Sequence, residues 1–222
     1  MSSYSNSSTI IRFYLCRHGQ SEFNALGLLQ GHLESPLSPL GITQAESLAL
    51  KAKQWGVDHI VSSHLGRAQQ TAHICAEFLN KAVLHSQLIA PQSTADLAER
   101  HLGAWQGKAV AQLAEFHQFN TLCYQQTHLT PPNSLERINS QEKSESTDTV
   151  RQRMQNALRD IAQMTELHTR SSSSELNVLV ISHGDALACL MSQFTQPVLL
   201  KNTQGMLLTY QNGTLEWGGL ID

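Results

Sequence analysis

Apolar residues recur along the chain with two different spacings, and together these predict strands that alternate with helices. Short segments at 10–16, 57–62 and 178–181 contain clustered Val, Ile, Leu or aromatic residues, which is typical of buried strands. Between them, apolar residues recur every three or four positions, as expected of helices that bury one face. We predict helices over 42–55, 67–79, 107–119, 147–167 and 186–194.

The remaining segments carry turn and loop signals. The pair Asn212-Gly213 divides the segment 206–217 into two strand-like arms and predicts a hairpin. The segment 83–89 is compatible with a short edge strand, 171–174 with a linker, and the polar segment 130–146 with a surface loop that is a candidate lid.

Strands that alternate with helices favour one fold class. We predict an α/β fold, a three-layer sandwich whose mostly parallel central sheet is flanked by helices on both faces. No repeat or convincing domain boundary interrupts the pattern, so we expect one catalytic domain over 9–222. The Ser-rich residues 1–8 lack the features of a signal peptide, and we expect a flexible tail.

Composition excludes two classes of partner. The chain of 222 residues has a formal net charge of −3, which disfavours a nucleic-acid binder that works through bulk positive charge. No apolar segment approaches the length of a membrane span. Four scattered cysteines without a Cys-x-x-Cys pair predict reduced, buried thiols and a cytoplasmic location; they are Cys16, Cys75, Cys123 and Cys189.

The candidate chemistry lies where two predicted strands end. Arg17-His18-Gly19 directly follows the first apolar run, and His183-Gly184 follows the run at 178–181. Loops after the carboxyl ends of strands form the ligand crevice of α/β sheets. An arginine beside a histidine can hold an anion while the histidine attacks it.

The stretch from Arg17 to Asn24 resembles the signature of the histidine phosphatase superfamily, the phosphoglycerate-mutase-like fold. Four further groups of residues resemble family motifs in the family's order, and together they span nearly the whole chain. These groups are Gln30-Gly31 with Pro36-Leu37-Ser38, Gly41 and Gln44-Ala45; Ser62-Ser63 through Arg67 to Ala72; Leu97-Ala98-Glu99 with Gly103-Ala104-Trp105; and Ser182-His183-Gly184.

The resemblance implies roles for four residues around a phosphoryl group. His18 is the expected nucleophile, which attacks phosphorus as neutral imidazole and forms a phosphohistidine. Arg17 and Arg67 are expected to grip the phosphoryl oxygens, because the planar guanidinium fork matches phosphate geometry. His183 is expected to be a third cation that donates a proton to a phosphoryl oxygen.

The expected general acid is Glu99, which would protonate the leaving alkoxide and then activate water. Asp96 and Glu115 are nearby carboxylates and remain alternatives for this role. A positioned acid contributes about 10²- to 10⁴-fold to the rate, so charge stabilisation by the arginines and histidines must supply much of the rest.

The family match also predicts residues that line the substrate pocket. They are Asn24, Gln30, Gly31 and Gly184, together with Arg17 and Arg67. Glycine at 184 lets the backbone approach the anion at the start of a helix. No His or Cys spacing in the chain predicts a metal site, and the implied mechanism needs neither a metal ion nor an organic cofactor.

The resemblance leaves the outcome of the reaction open. In the mutase branch, the motif that corresponds to Leu97-Ala98-Glu99 is followed by an insert with paired arginines. Here the segment after that motif, 103–124, has Lys108 as its only cation. The stretch 145–153 instead resembles the phosphatase branch. We predict a phosphomonoesterase acting on a small phosphorylated metabolite. A cofactor-dependent phosphoglycerate mutase is the alternative, a non-catalytic module that binds a phosphorylated ligand is a third reading, and a homodimer is left open.

Overall fold

The computed structural model describes residues 9–81, 90–133, 143–168 and 175–222, and the strands of these segments form one sheet. In chain order the strands are β1 (Ile10–Arg17), β2 (His59–Ser63), β3 (Gln92–Thr94), β4 (Glu175–Ser182), β5 (Gly205–Gln211) and β6 (Thr214–Ile221). The spatial order is β3-β2-β4-β1-β5-β6. Pairs among β1 to β4 are parallel, and β5 joins β1 and β6 through antiparallel pairs.

Helices cover both faces of this sheet, which confirms the predicted α/β class. The α-helices of the described segments are α1 (Glu22–Ala25), α2 (Pro39–Gln54), α3 (Gly66–Lys81), α4 (Ala114–Leu122), α5 (Thr147–His168) and α6 (Gly184–Met191). On β4, Val178 and Val180 belong to the core under α5 and α6, whereas Leu179 and Ile181 belong to the core under α2 and α3. A one-residue slip would exchange these two faces, so burial on both sides determines the register.

Two helices have boundaries that differ from the sequence prediction. α2 begins at Pro39 rather than at residue 42, because Ser38 caps it: the Ser38 hydroxyl accepts a hydrogen bond of 3.1 Å from the Gly41 N–H. Proline is well tolerated at the first helical position, where its missing N–H has no helical partner. α6 begins at Gly184 and ends at Met191, three residues before the predicted end.

The predicted helix over 107–119 is wrong, since only α4 and a short 3₁₀ turn form in this segment. Gly107 has a φ of +81°, which a right-handed helix does not allow. The N–H of Gly107 donates to the Leu29 carbonyl at 2.7 Å, and the N–H of Val110 donates to the Gly27 carbonyl at 3.0 Å. The backbone therefore pairs with the loop after α1 instead of with itself.

The predicted hairpin is confirmed as β5 and β6, whose connection contains Asn212 and Gly213 with φ of 52° and 81°. Positive φ at both positions is what a tight hairpin turn requires. The predicted tail 1–8, strand 83–89 and linker 171–174, and most of the predicted loop 130–146, lie outside the described residues. All four cysteines are free and buried. No helix in the described segments is long and apolar enough to cross a membrane.

Candidate active site

The two strand-end histidines lie side by side. β1 and β4 are parallel neighbours with Arg17 opposite Ser182, and the His18 N–H donates to the Ser182 carbonyl at 3.0 Å. The ring centroids of His18 and His183 are 5.0 Å apart. Both side chains are buried, with exposed fractions of 2% and 0%. The parallel pairing of two distant segments therefore builds the centre of the site.

The tautomer of His18 follows from its contacts. Its Nδ1 lies 2.6 Å from the Gly19 carbonyl oxygen, which can only accept, so Nδ1 carries the proton. Nε2 then has a free lone pair, which accepts a hydrogen bond of 3.2 Å from Arg67 Nε. Burial, with the charges of Arg67 and Arg17, holds the pKa of His18 well below its usual value. Neutral imidazole with a basic Nε2 is the form that can attack phosphorus.

Two guanidinium groups flank this nitrogen. Arg67, in the first turn of α3, donates to the carbonyls of Gly31 at 2.8 Å and Leu33 at 3.1 Å. Arg17, the last residue of β1, donates from Nη1 to the Leu200 carbonyl at 2.8 Å. Its Nε is buried without a hydrogen-bond partner among the described residues. Burial lowers the pKa of Arg67 to about 10, so it stays charged near neutral pH. Buried donors without acceptors are the signature of an anion site.

The environment of His183 favours the neutral ring, whereas its predicted role is that of a third cation. Both ring nitrogens are buried and lack a hydrogen-bond partner among the described residues. Burial, followed by the nearby charges of Arg67 and His18, lowers its pKa well below the usual value. The protein by itself therefore favours a neutral ring, and a third cation at this position requires a bound dianion that raises the pKa.

The predicted general acid lies in the same crevice. The Glu99 carboxylate accepts hydrogen bonds from the backbone N–H groups of Arg100 at 2.9 Å and Ala186 at 2.8 Å. Burial raises the pKa of Glu99, and the carboxylate of Asp185 acts in the same direction. The alternative acids do not reach the crevice: the side chains of Asp96 and Glu115 are exposed and do not line it.

The predicted pocket residues all line the pocket, and several of them also brace it. Asn24 Oδ1 lies 3.5 Å from Arg17 Nη2 and thus orients this guanidinium. The Gln30 amide forms hydrogen bonds with the Ser21 and Ser35 hydroxyls at 2.8 and 3.1 Å. It therefore braces residues 18–24 after β1, which we call the signature loop. An added Cβ on Gly184 would lie 3.3 Å from the Arg17 guanidinium carbon, so glycine permits this close approach.

Glycine at position 31 has a similar packing reason. Its φ is +53°, and an added Cβ would lie 2.2 Å from the Gln106 side-chain oxygen. That oxygen accepts a hydrogen bond of 2.8 Å from the His32 N–H. The turn at Gly31 presents its carbonyl to Arg67, and a side chain there would displace this support.

A pocket of about 430 Å³ contains the reactive groups. Arg17, His18, Arg67, Glu99 and Gly184 line it, whereas the ring of His183 is buried beside His18. The rest of the wall comes from residues 20–31, from 102–120, from the first turn of α6 and from the segment before β5. It comprises Gln20, Asn24, Gly27, Leu28, Leu29, Gln30, Gly31, Leu102, Val110, Phe116, Asn120, Asp185, Leu199 and Asn202.

Sequence reasoning missed two polar groups of the site. Asn202 Nδ2 donates to the His18 carbonyl at 3.0 Å and to Asn24 Oδ1 at 3.3 Å, which ties the turn before β5 to the signature loop. Arg100 is fully buried and forms an ion pair of 2.8 Å with Asp185. The position of Arg100 beside Glu99 is a local signal for it, whereas no local pattern distinguishes Asn202.

The arrangement agrees with the comparisons to known proteins. A family model described as histidine phosphatase superfamily (branch 1) matches residues 13–215. The chain belongs to this family. Among the described residues of this histidine phosphatase, no three His, Cys, Asp or Glu side chains form a group that could hold a metal ion.

Relatives in the family carry different names. The chain is 31% identical over 185 residues to a probable phosphoglycerate mutase of Proteus mirabilis, covering 82% of this chain and 74% of that one. It is 32% identical over 187 residues to a putative phosphoserine phosphatase of Hydrogenobacter thermophilus, covering 82% and 78%. A mycobacterial glucosyl-3-phosphoglycerate phosphatase has a similar fold, with a TM-score of 0.69, 24% identity and 90% of each chain covered.

Proposed function

We propose that this histidine phosphatase hydrolyses small phosphate monoesters through a phosphohistidine on Nε2 of His18. The observation that carries the proposal is the lone pair of Nε2, 3.2 Å from Arg67 Nε in a pocket that Arg17 and Glu99 also line. A dianionic phosphoryl group would satisfy the buried Arg17 Nε and the N–H of His183. In doing so it would compete with His18 for the Arg67 donor and release the lone pair for attack.

Two displacements complete the reaction. In the first, Nε2 of His18 bonds to phosphorus, the ester P–O bond breaks, and Glu99 gives its proton to the leaving alkoxide. In the second, a water molecule loses its proton to Glu99 and attacks phosphorus. The N–P bond then breaks and orthophosphate leaves. The raised pKa of Glu99 favours the protonated form that the first transfer needs, and it makes the carboxylate left afterwards a stronger base for the second.

A phosphoglycerate mutase remains the second candidate, since a relative covered over 74% of its length carries that name. Such a reaction must hold the carboxylate of a glycerate while the phosphohistidine waits for a second hydroxyl. Among the described residues that line the pocket, Arg17 and Arg67 are the only cations, and both face the phosphoryl position. Interconversion of 3-phosphoglycerate and 2-phosphoglycerate faster than their hydrolysis would favour the mutase.

Hydrolysis of p-nitrophenyl phosphate in the presence of EDTA tests the proposed function. We expect the wild type to be active and His18→Ala to be inactive, while His64→Ala, which alters an exposed histidine outside the pocket, keeps full activity. An acid-labile phosphoenzyme should accumulate in the wild type and be absent from His18→Ala. An inactive wild type would favour the binding module, and loss of activity with EDTA would exclude the metal-free mechanism.

The proposal also includes a cytoplasmic enzyme that needs no cofactor and acts on a small phosphorylated molecule rather than on nucleic acid or a membrane. The formal net charge of −3 supports the exclusion of nucleic acid. The oligomeric state is a separate question, and light scattering after gel filtration would distinguish a monomer from a homodimer.

A further inference from the structure

Away from His18, Glu99 and the two arginines, half of the side chains that line the pocket are apolar. Six hydrophobic side chains line it, contributed by the loop after α1, by 102–116 and by the segment before β5: Leu28, Leu29, Leu102, Val110, Phe116 and Leu199. Leu102 and Leu29 also belong to a small core with Trp105 and Phe119, which gives this wall a packed support. The wall thus provides a preformed apolar surface beside the reactive groups.

Among the described residues, this wall provides no cationic side chain for a negatively charged leaving group. Among the described lining residues the only cations are Arg17 and Arg67, which face the phosphoryl position. Asp185 also lines the pocket, and its carboxylate is already bonded to Arg100 at 2.8 Å and to the Tyr124 hydroxyl at 2.7 Å. A substrate carboxylate would lose water here without gaining a cationic partner, which is unfavourable.

The apolar surface continues to the mouth of the pocket. Leu199 lines the pocket and is still 52% exposed, and the neighbouring Val198 is 46% exposed. Leu26, next to the lining residue Gly27, is 69% exposed. Exposed apolar side chains beside a pocket can add to the apolar area that a bound ligand covers.

We propose that the outer pocket selects phosphate monoesters whose alcohol part is uncharged and apolar, and that it discriminates against esters that carry a carboxylate. This inference rests on the proposed phosphatase function and names its substrate class. It separates the chain from relatives named for phosphoglycerate and phosphoserine, both of which carry a carboxylate. A hydrophobic pocket distinguishes ligands that differ by one methylene about tenfold or more, and an unpaired charge should be rejected at least as strongly.

Hydrolysis of a matched pair of esters tests the selectivity. Hexyl phosphate and 5-carboxypentyl phosphate have the same primary-alcohol leaving group and differ only at the far end of the chain. We expect kcat/KM to be at least about tenfold higher for hexyl phosphate, and lower for butyl phosphate than for hexyl phosphate. Equal values for hexyl and 5-carboxypentyl phosphate, or a preference for the carboxylate, would overturn the inference.

A substitution at Leu199 tests the wall directly. This side chain is more than half exposed, so its replacement should leave the fold intact. Leu199→Lys should lower the ratio of kcat/KM for hexyl over 5-carboxypentyl phosphate by about tenfold or more, because it supplies the missing cation. Leu199→Gln, the matched control, should weaken hydrolysis of hexyl phosphate without improving the carboxylate ester. An unchanged ratio in Leu199→Lys would contradict the assigned wall.

Binding of the corresponding phosphonates separates the two proposals. These analogues cannot be hydrolysed, so calorimetric affinities for hexylphosphonate and 5-carboxypentylphosphonate report the pocket even if no ester is turned over. If hexylphosphonate binds more tightly but p-nitrophenyl phosphate is not hydrolysed, the proposed selectivity of the outer pocket is supported and the proposed phosphatase activity is contradicted. Turnover of p-nitrophenyl phosphate with equal phosphonate affinities would do the reverse.

Discussion

Burial moves the pKa of His18 and the pKa of Glu99 in opposite directions, because it disfavours whichever form is charged. For the imidazole of His18 the charged form is the protonated one, so its pKa falls. For the carboxyl group of Glu99 the charged form is the deprotonated one, so its pKa rises. One buried crevice therefore favours a neutral His18 ring and a protonated Glu99 carboxyl group, the forms that the proposed mechanism requires.

The variant Glu99→Gln tests the acid. A leaving group that needs a proton should depend on Glu99 far more than p-nitrophenolate, which leaves as a stable anion. We expect kcat/KM, which reports the steps up to departure of the alcohol, to fall by about 10²- to 10⁴-fold for hexyl phosphate and much less for p-nitrophenyl phosphate. The control Glu115→Gln alters an exposed carboxylate outside the pocket and should retain both rates. Equal losses for both substrates would assign Glu99 a structural role.

The pH dependence of the wild type should reflect the same group. Glu99 is competent as an acid only while protonated, so kcat/KM for hexyl phosphate, which reports the acid-assisted first displacement, should decline as the pH rises through its raised pKa. His18 is protonated only below the usual histidine range, so it should not limit the rate near neutral pH. Stopped assays across the pH range should show the alkaline decline in the wild type and none in Glu99→Gln.

At the scale of elements, α5 holds the segment that carries the acid. Arg153, on α5, donates to the backbone carbonyls of Asp96 at 2.9 Å, Ala98 at 2.7 Å and Glu99 at 3.0 Å. Glu145 lies at the other side of this guanidinium and accepts from its Nε at 2.8 Å. A short irregular segment has few helical or sheet hydrogen bonds of its own, so these contacts determine where Glu99 points.

Arg153→Met should therefore impair catalysis without touching substrate. A displacement of the acid by about 1 Å can cost about 10²-fold, and we expect a loss of about 10- to 100-fold in kcat/KM for hexyl phosphate. The loss for p-nitrophenyl phosphate should be smaller, because that substrate needs the acid less. Arg159→Met removes an exposed arginine from the same helix and serves as the control. A purely structural role for Arg153 would lower both rates by the same factor.

The contact between α2 and the signature loop also depends on one small residue. An added Cβ on Gly41 would lie 2.0 Å from the Gln20 carbonyl oxygen, a distance that no side-chain shift can relieve. Replacing a helical glycine with alanine normally stabilises by about 1 kcal/mol, and here the backbone clash should reverse that sign.

Urea unfolding measures the effect of Gly41→Ala, and we expect a loss of about 1–3 kcal/mol, the range for overpacking. Gly66→Ala is the matched control in α3, since its added Cβ would meet only the flexible end of the Glu34 side chain at 3.0 Å. A Gly41→Ala variant as stable as the wild type would show that the loop and α2 can separate at little cost.

At the scale of the whole molecule, the site makes folding depend on pH. The buried rings of His18 and His183 resist protonation in the folded state, whereas the unfolded chain takes up protons below about pH 6.5. Stability should therefore be constant with respect to these groups above pH 6.5 and fall as the pH decreases. Each histidine should contribute a loss of about 1.4 kcal/mol per pH unit until the pH reaches its folded-state pKa.

Urea unfolding at pH 7.5 and pH 5.5, in buffers free of phosphate, measures this dependence. The free energy of unfolding should decrease less between the two values in His183→Asn than in the wild type. His64→Gln, at an exposed histidine, should keep the wild-type difference. Identical decreases in all three proteins would mean that the buried histidine does not govern the acid response.

Local signals in the sequence determined much of this protein. Short apolar segments predict the strands that end at Arg17 and at Ser182. The turn at Asn212-Gly213 is predicted because both residue types tolerate a positive φ. The ordered family motifs also point to the residues that we propose as catalytic, because each motif keeps its chemistry within a few neighbouring positions.

Only the tertiary structure decided the features that depend on distant partners. The segment 107–113 does not form the predicted α-helix, because the N–H groups of Gly107 and Val110 donate to carbonyls of the loop after α1. Asn202 enters the site because the turn before β5 meets the signature loop. The shifted pKa values of His18 and Glu99 and the apolar wall around Leu199 arise from burial by elements far apart in sequence. Burial and long-range hydrogen bonds are properties of the assembled fold, so no local pattern of residues contains them.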